Sequence, residues 1–172
     1  MNSTPAESAE TLVSFDDVYE AQYRRLLALA HAATGNWQSA EDLTQETFLR
    51  ALRHWHKIAQ YDDPGAWLRR VLINRVASRW RGLGREQLAF GRWVSRSPEE
   101  ASDQSMHDAA FWSAVRRLSP QQRRVVLLHY VDDLDVEQIA RVLECSAGTV
   151  KTHLHRARTQ LAVLLTEGGN NV

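Results

Sequence analysis

Six polar side chains crowd the stretch from Lys151 to Arg158: Lys151, Thr152, His153, His155, Arg156 and Arg158. They alternate with Val150, Leu154, Ala157 and, one turn on, Leu161, which recur at helical spacing. A helix written this way buries one side and presents a basic, hydrogen-bonding side. Lys151, Thr152, His155 and Arg156, spaced i, i+1, i+4, i+5, can reach base edges from a helix lying in a DNA groove. Ser146 caps this helix, and with Thr149 it offers hydroxyls and free N–H groups to a phosphate. Just upstream, Asp135 and Gln138 have the spacing of a capping box, followed by Val136, Ile139, Ala140 and Leu143 on one helical face. Glu144-Cys145 leaves room only for a turn. Two helices, a tight turn and a basic second helix form the helix-turn-helix arrangement, whose second helix enters the major groove.

A second group of residues is acidic. The segment Ala40–Ile58 reads as a helix whose buried stripe is Leu43, Thr47, Phe48, Ala51, Leu52, Trp55 and Ile58. Asp42, Gln45, Glu46 and Leu49 share its outward flank. Acids early in a helix suit the helix dipole without any function. An exposed leucine beside them points instead to a docking surface.

A third group is basic. From Gly65 to Arg96 eight arginines stand against one acid, Glu86, a local net charge of +7. With Trp67 and Trp80, a helix from Ala66 to about Arg81 has the means to hold backbone phosphates and stack unpaired bases. Both tryptophans fit a core role equally well. The whole chain of 172 residues is nonetheless neutral, with 21 basic and 21 acidic residues, so its charge is segregated along the sequence.

No enzyme constellation accompanies these groups. His54/His56 and His153/His155 are each two residues apart, so on a helix each pair points to different sides and shares no metal. Gly82-x-Gly84 opens no strand-to-helix phosphate loop. Asp62-Asp63 and Asp132-Asp133 sit in turn or capping contexts, and no serine or cysteine has a base partner. Cys145, the single cysteine, forms no internal disulfide and reads as a small turn residue packed between helices. No cofactor or metal is expected, and the chain reads as a non-enzyme.

The elements that must position these groups are helical. Leu, Ala, Arg and Glu dominate, with few β-branched runs. Apolar runs such as Leu161–Leu165 are far too short to span a membrane, and MNSTPAESAETL lacks the basic start and apolar stretch of a signal peptide, so a cytoplasmic chain without membrane insertion is expected. Ser14 or Asp16 starts a first helix through about Ala33, with Phe15, Val18, Tyr19, Leu26, Leu29 and Ala30 on its apolar side. Gly35-Asn36 stops it. Tyr61–Gly65 forms a loop. After the linker, Ala109–Leu118 and Gln121–Val131 are helices, the second preceded by a Ser119-Pro120 start signal. The expected architecture is all-α, two small helical domains joined by a flexible linker. Residues 1–13 are a disordered N-terminus, 14–85 the first domain, 86–108 the linker, 109–165 the helix-turn-helix domain and 166–172 a disordered tail.

Two ordered motifs resemble a known family. Leu143-Glu-Cys-Ser146-Ala-Gly-Thr-Val150-Lys-Thr-His-Leu-His-Arg156-Ala-Arg158 resembles region 4 of bacterial sigma factors of the small extracytoplasmic-function (ECF) group, within the sigma-70 family of RNA polymerase sigma factors. Leu118-Ser-Pro-Gln-Gln-Arg-Arg-Val-Val resembles the start of that region. Ala40-Glu-Asp-Leu-Thr-Gln-Glu-Thr-Phe-Leu-Arg-Ala51 is very similar to region 2.2, and Trp67-Leu-Arg-Arg-Val-Leu-Ile-Asn74-Arg75 looks like regions 2.3 and 2.4. The resemblance implies a sigma factor that binds core RNA polymerase and directs promoter-specific transcription initiation. It implies that Asp42, Gln45, Glu46, Leu49 and Arg53 meet the β′ clamp and that region 4 meets the β flap. It implies that Tyr61, Asp62, Trp67, Asn74, Arg75, Ser78 and Arg79 open and read the −10 element as single-stranded DNA. And it implies that Ser146, Thr149, Lys151, Thr152, His155, Arg156 and Arg158 read the double-stranded −35 element. Many relatives carry Asp where this chain has Ser78. Relatives are often held inactive by an anti-sigma factor, and their linker threads into the polymerase; here that would engage Phe90 and Trp93, unless these tuck onto a domain in the free protein. Two other functions fit parts of the chain: a helix-turn-helix regulator that binds an operator without core polymerase, and a helical adaptor whose basic faces bind acidic protein.

Overall fold

The computed structural model describes residues 13–89 and 103–169, with side chains described for 13–80 and 110–166. The expectations for residues 1–12, for Phe90 and Trp93, and for residues 170–172 therefore lie outside the described residues. Eight helices and no strand occur among the described residues: α1 Phe15–Thr34, α2 Trp37–Arg53, α3 Trp55–Ile58, α4 Pro64–Ala89, α5 Asp103–Arg117, α6 Pro120–Tyr130, α7 Val136–Leu143 and α8 Ala147–Gly169.

Local chemistry sets most of the helix ends. Ser14, the first of the two expected starts, caps α1 by accepting from the Asp17 N–H (3.2 Å). Gly35 ends α1 at φ 67°, a left-handed conformation, and its N–H closes on the His31 carbonyl. Asn36 caps α2 through the Ser39 N–H (2.8 Å), so α2 folds straight back along α1. α2 thus begins at Trp37, three residues before the expected start, which moves Glu41 and Asp42 out of its first turn. Asp63 caps α4 through the Ala66 N–H (2.8 Å), with Pro64 at its first position. Ser119 with Gln122, and Asp135 with Gln138, both close full capping boxes.

Four further expected boundaries differ. The helix expected to continue to Ile58 breaks at His54, whose N–H bonds to the Ala51 carbonyl. The break lets Trp55 meet Phe15 edge-on (ring centroids 5.3 Å) and seats Ile58 in the core. α4 runs on past Arg81 to Ala89 and α5 begins at Asp103, because no proline intervenes to stop either helix. α8 continues to Gly169, past the expected end at Leu165.

Leu52 is corrected from buried to 54% exposed. The buried residues of α2 are Ala40, Leu43, Thr44, Thr47, Phe48 and Ala51. At about 100° per residue their arc centres near Thr44 and Ala51, and Leu52 falls about 100° away. Thr44, a polar residue that apolar counting left out, is buried on that arc.

In the first half, α4 lies across the α1–α2 pair, with Leu26, Leu29, Phe48, Leu68, Leu72 and Val76 between them. In the second, α7 and α8 pack on α6 around Val125, Leu128, Ile139, Val142, Val150 and Leu154. A second cluster, Val115, Leu118, Val126, Ala157 and Leu161, joins α5 to α6 and α8. The two halves touch: α4 packs on α7 and α6, and α1 on α6.

Candidate nucleic-acid and protein interfaces

On α2, Asp42, Gln45, Glu46, Leu49 and Arg53 are all exposed. They occupy an arc of about 100° opposite the buried one. The flank read from the sequence is therefore one surface, and Leu49 stands on it 54% exposed with Leu52 beside it. Two solvent-facing leucines thus stand beside the exposed acids Asp42 and Glu46.

α4 presents two faces. Trp67, Val71, Asn74, Arg75, Ser78 and Arg79 line an open groove of 660 Å³ against Leu43, Glu46 and Arg50 of α2. Asn74, Ser78 and Arg79 are exposed there, and Arg79 donates to Ser39 Oγ (3.0 Å). Arg75 pairs with Glu46, so the groove and the acidic flank share a residue pair; the Nε of Arg75 is buried without a partner. Trp67 is half-buried, packing on the core with one edge on the groove. Tyr61 and Asp62 are exposed in the loop leading into α4. The other face of α4 carries Arg69, Ile73, Val76 and Trp80, about 180° to 240° away from Trp67. Trp80 is thereby separated from the groove. The Arg123 guanidinium lies 4.2 Å over its ring, and burial there lowers the pKa of Arg123.

On α8, Val150, Leu154, Ala157 and Leu161 are buried and Lys151, Thr152, His155 and Arg156 exposed, in the order the sequence prescribes. Thr159 stands on the same exposed arc and lines a surface hollow with His155 and Arg156. Its i+4 spacing from His155 was the signal that could have found it. Ser146 and Thr149 sit at the start of α8, where Ser146 Oγ accepts from the Thr149 N–H (3.1 Å) and shares a hydrogen bond with Thr149 Oγ1 (2.9 Å). The Ser146 hydroxyl thus serves the cap. Arg158 lies at the edge of the arc and turns aside: its Nε donates to Tyr130 Oη (2.8 Å) of α6. Between α7 and α8, Glu144 adopts φ 51° as a left-handed helix end, and Cys145 packs half-buried against the core.

Sequence reasoning missed one polar cluster. Asp132, placed there in a turn, has a side chain only 2% exposed. Its Oδ1 accepts from Arg25 Nε (3.2 Å) and its Oδ2 from Arg69 Nε (2.5 Å). Its backbone carbonyl accepts from Arg25 as well (3.0 Å), and Arg69 also donates to Gln22 Oε1 (3.0 Å). These partners lie 107 and 63 residues away, beyond any local pattern.

Comparison with known proteins follows the same division. Residues 18–86 match the family model of sigma-70 region 2, and residues 108–161 that of sigma-70 region 4. The chain is 39% identical over 159 residues to the ECF RNA polymerase sigma factor BldN of Streptomyces coelicolor, covering 88% of this chain but 57% of BldN. It is 31% identical over 150 residues to the RNA polymerase sigma-E factor of Streptomyces antibioticus, covering 87% of this chain and 83% of that protein. Among solved structures, the sigma factor RpoE in complex with the anti-sigma factor NepR, from Bartonella quintana, is similar at a TM-score of 0.69 and 28% identity, over 88% of this chain and 96% of that one. CnrH, in complex with the cytosolic domain of CnrY, shares the fold at a TM-score of 0.61 and 24% identity, over 89% of this chain and 88% of that one.

Proposed function

Starting from a chain that belongs to the ECF group of the sigma-70 family of RNA polymerase sigma factors, we propose how its surfaces divide the work of promoter-specific transcription initiation. The family is one of DNA-binding regulators, and phosphodiester chemistry is assigned to the polymerase. Residues 14–85 form the domain that docks on core polymerase through Asp42, Gln45, Glu46, Leu49 and Arg53. Leu49 supplies the desolvated contact and the acids supply orientation, since charge complementarity sets register more than affinity.

The groove between α2 and α4, with the Tyr61–Asp62 loop at its entrance, receives the −10 element. Asn74, Arg75, Ser78 and Arg79 hold the strand, and the loop takes an unstacked base. Extruding a base costs a few kcal/mol, which binding in the groove offsets. Residues 109–165 form the second domain, which reads the −35 element. Lys151, Thr152, His155 and Arg156 face bases and phosphates in the major groove, while Ser146 and Thr149 position the start of α8 against the backbone. The work takes place in the cytoplasm, where core polymerase and promoter DNA are. An anti-sigma factor is a further partner, a reading supported by the complex in which the similar RpoE is found.

One observation carries the proposal: a single chain displays both an exposed leucine in an acidic flank and a free basic recognition helix. An operator-binding regulator needs only the second. The test is co-purification of the chain with bacterial core RNA polymerase, followed by run-off transcription from a promoter library. Stoichiometric binding with initiation from a shared motif is expected. DNA binding by the free chain without binding to core would overturn the proposal in favour of a regulator.

A further inference from the structure

We propose that Tyr130 is a positioning residue for promoter recognition: with His129 it holds the Arg158 guanidinium against α6 and withholds one phosphate contact from the recognition helix. The inference rests on the −35-reading function proposed above. Arg158 lies within about 20° of Lys151 around α8, two turns further along, and about 60° from His155. Lys151, His155 and Arg158 are all exposed. A freely extended arginine at this place would continue the basic row toward the DNA backbone.

Two side chains at the end of α6 hold it instead. Arg158 Nε donates to Tyr130 Oη (2.8 Å), and Arg158 Cζ stands 5.9 Å from the centre of the tyrosine ring. Arg158 Nη2 lies 3.4 Å from His129 Nε2, and His129 Nδ1 lies 2.9 Å from the Leu134 carbonyl oxygen. That oxygen only accepts, so Nδ1 carries the proton and Nε2 of the neutral ring is left to accept from Arg158. The imidazole meets the Tyr130 ring edge-on, centroids 4.7 Å apart. Nε and Nη2 form one edge of the guanidinium, an edge able to make two parallel hydrogen bonds to a phosphate, and here it is occupied. A phosphate contact strengthens binding to every duplex alike. Withholding it lowers the affinity for DNA of any sequence and leaves binding to rest on the base-facing Lys151, Thr152, His155 and Arg156.

The experiment compares the full-length wild type with Tyr130→Phe, which removes the hydroxyl and keeps the ring, with Arg158→Ala, and with the double variant. The hold is read first without DNA, from hydrogen exchange at the arginine Nε–H groups by NMR. Slower exchange at Arg158 than at the exposed Arg156 is expected in the wild type, and loss of that difference in Tyr130→Phe. Equal exchange at the two arginines in the wild type would overturn the hold. Binding is then read by fluorescence anisotropy, across salt concentrations, on a duplex carrying the −35 element and on a scrambled one. Tyr130→Phe is expected to bind both more tightly by a similar factor, with log affinity falling more steeply against log salt by about 0.9, the increment for one added phosphate contact. Its advantage over wild type should therefore shrink about 3.5-fold between about 50 and 200 mM salt. In the Arg158→Ala background the same substitution is expected to change nothing. A gain that survives without Arg158, weaker binding by Tyr130→Phe, or unchanged binding once Arg158 is released would each overturn the proposal. A wild type that shows no preference for the −35 duplex would instead refute the promoter-reading function, with the exchange result and the salt slope still judging the hold.

Discussion

Arg156→Ala isolates the promoter contact from everything else the fold does. Among the described residues Arg156 is exposed and makes no hydrogen bond or ion pair, so its removal disturbs no native contact, and stability should change by less than about 0.5 kcal/mol. Its guanidinium is free to make a bidentate contact to a base edge, worth about 1–3 kcal/mol of discrimination, or about 5- to 140-fold in affinity. Arg158, two residues on, is the internal control. To reach DNA it must first release Tyr130 Oη, so part of any gain is offset, and Arg158→Ala should cost less. The assay is a titration of reconstituted polymerase on a promoter found by the library, and on the same promoter with its −35 element scrambled. The expected result is a loss within that range for Arg156→Ala on the intact promoter, little loss on the scrambled one, unchanged affinity for core and an unchanged melting temperature. An equal loss on both promoters would show that Arg156 supplies only charge. A larger loss for Arg158→Ala would refute the placement of the recognition arc.

Three further outcomes follow from the same geometry. Leu49→Asp alters an exposed position, so the melting temperature should hold, while affinity for core polymerase, measured by fluorescence anisotropy, falls by at least about tenfold, as for a central interface anchor. Ile139→Ala empties a fully buried site under the helix-turn-helix and should cost about 2–5 kcal/mol in chemical denaturation, with promoter binding lost through unfolding and regained in stabilising osmolyte. Asp135→Ala removes one side of the capping box of α7; the loss of about 1 kcal/mol should lower the calorimetric midpoint of this half by about 4–8 °C.

The helix-turn-helix was legible almost residue by residue. Its caps act within four residues of themselves, as Asp135 with Gln138 and Ser119 with Gln122 demonstrate. The stripe Val150, Leu154, Ala157 and Leu161 repeats with the helix, so a linear pattern maps directly onto a buried face. The exposed flank of α2 was legible for the same reason. Leu52 and Trp80 were less so. Both are apolar residues on helices whose buried arc is set by the helices packed against them. Trp80 faces Arg123 of the other half, and Leu52 gives way to Thr44 at the centre of the α2 stripe.

Sequence alone determined the helical class, the family likeness and the chemistry of each surface, because caps, periodicity and local charge are properties of neighbouring residues. Tertiary structure decided which charges are spent and which remain free. Arg69, Arg75 and Arg156 look alike in the chain. Folded, the first is buried on Asp132, the second is paired with Glu46 at the rim of a groove, and the third is free among the described residues. Asp132 reads as a turn acid until α1 and α4 bring two guanidinium groups to it, and only a contact made across 63 and 107 residues of sequence could reveal that.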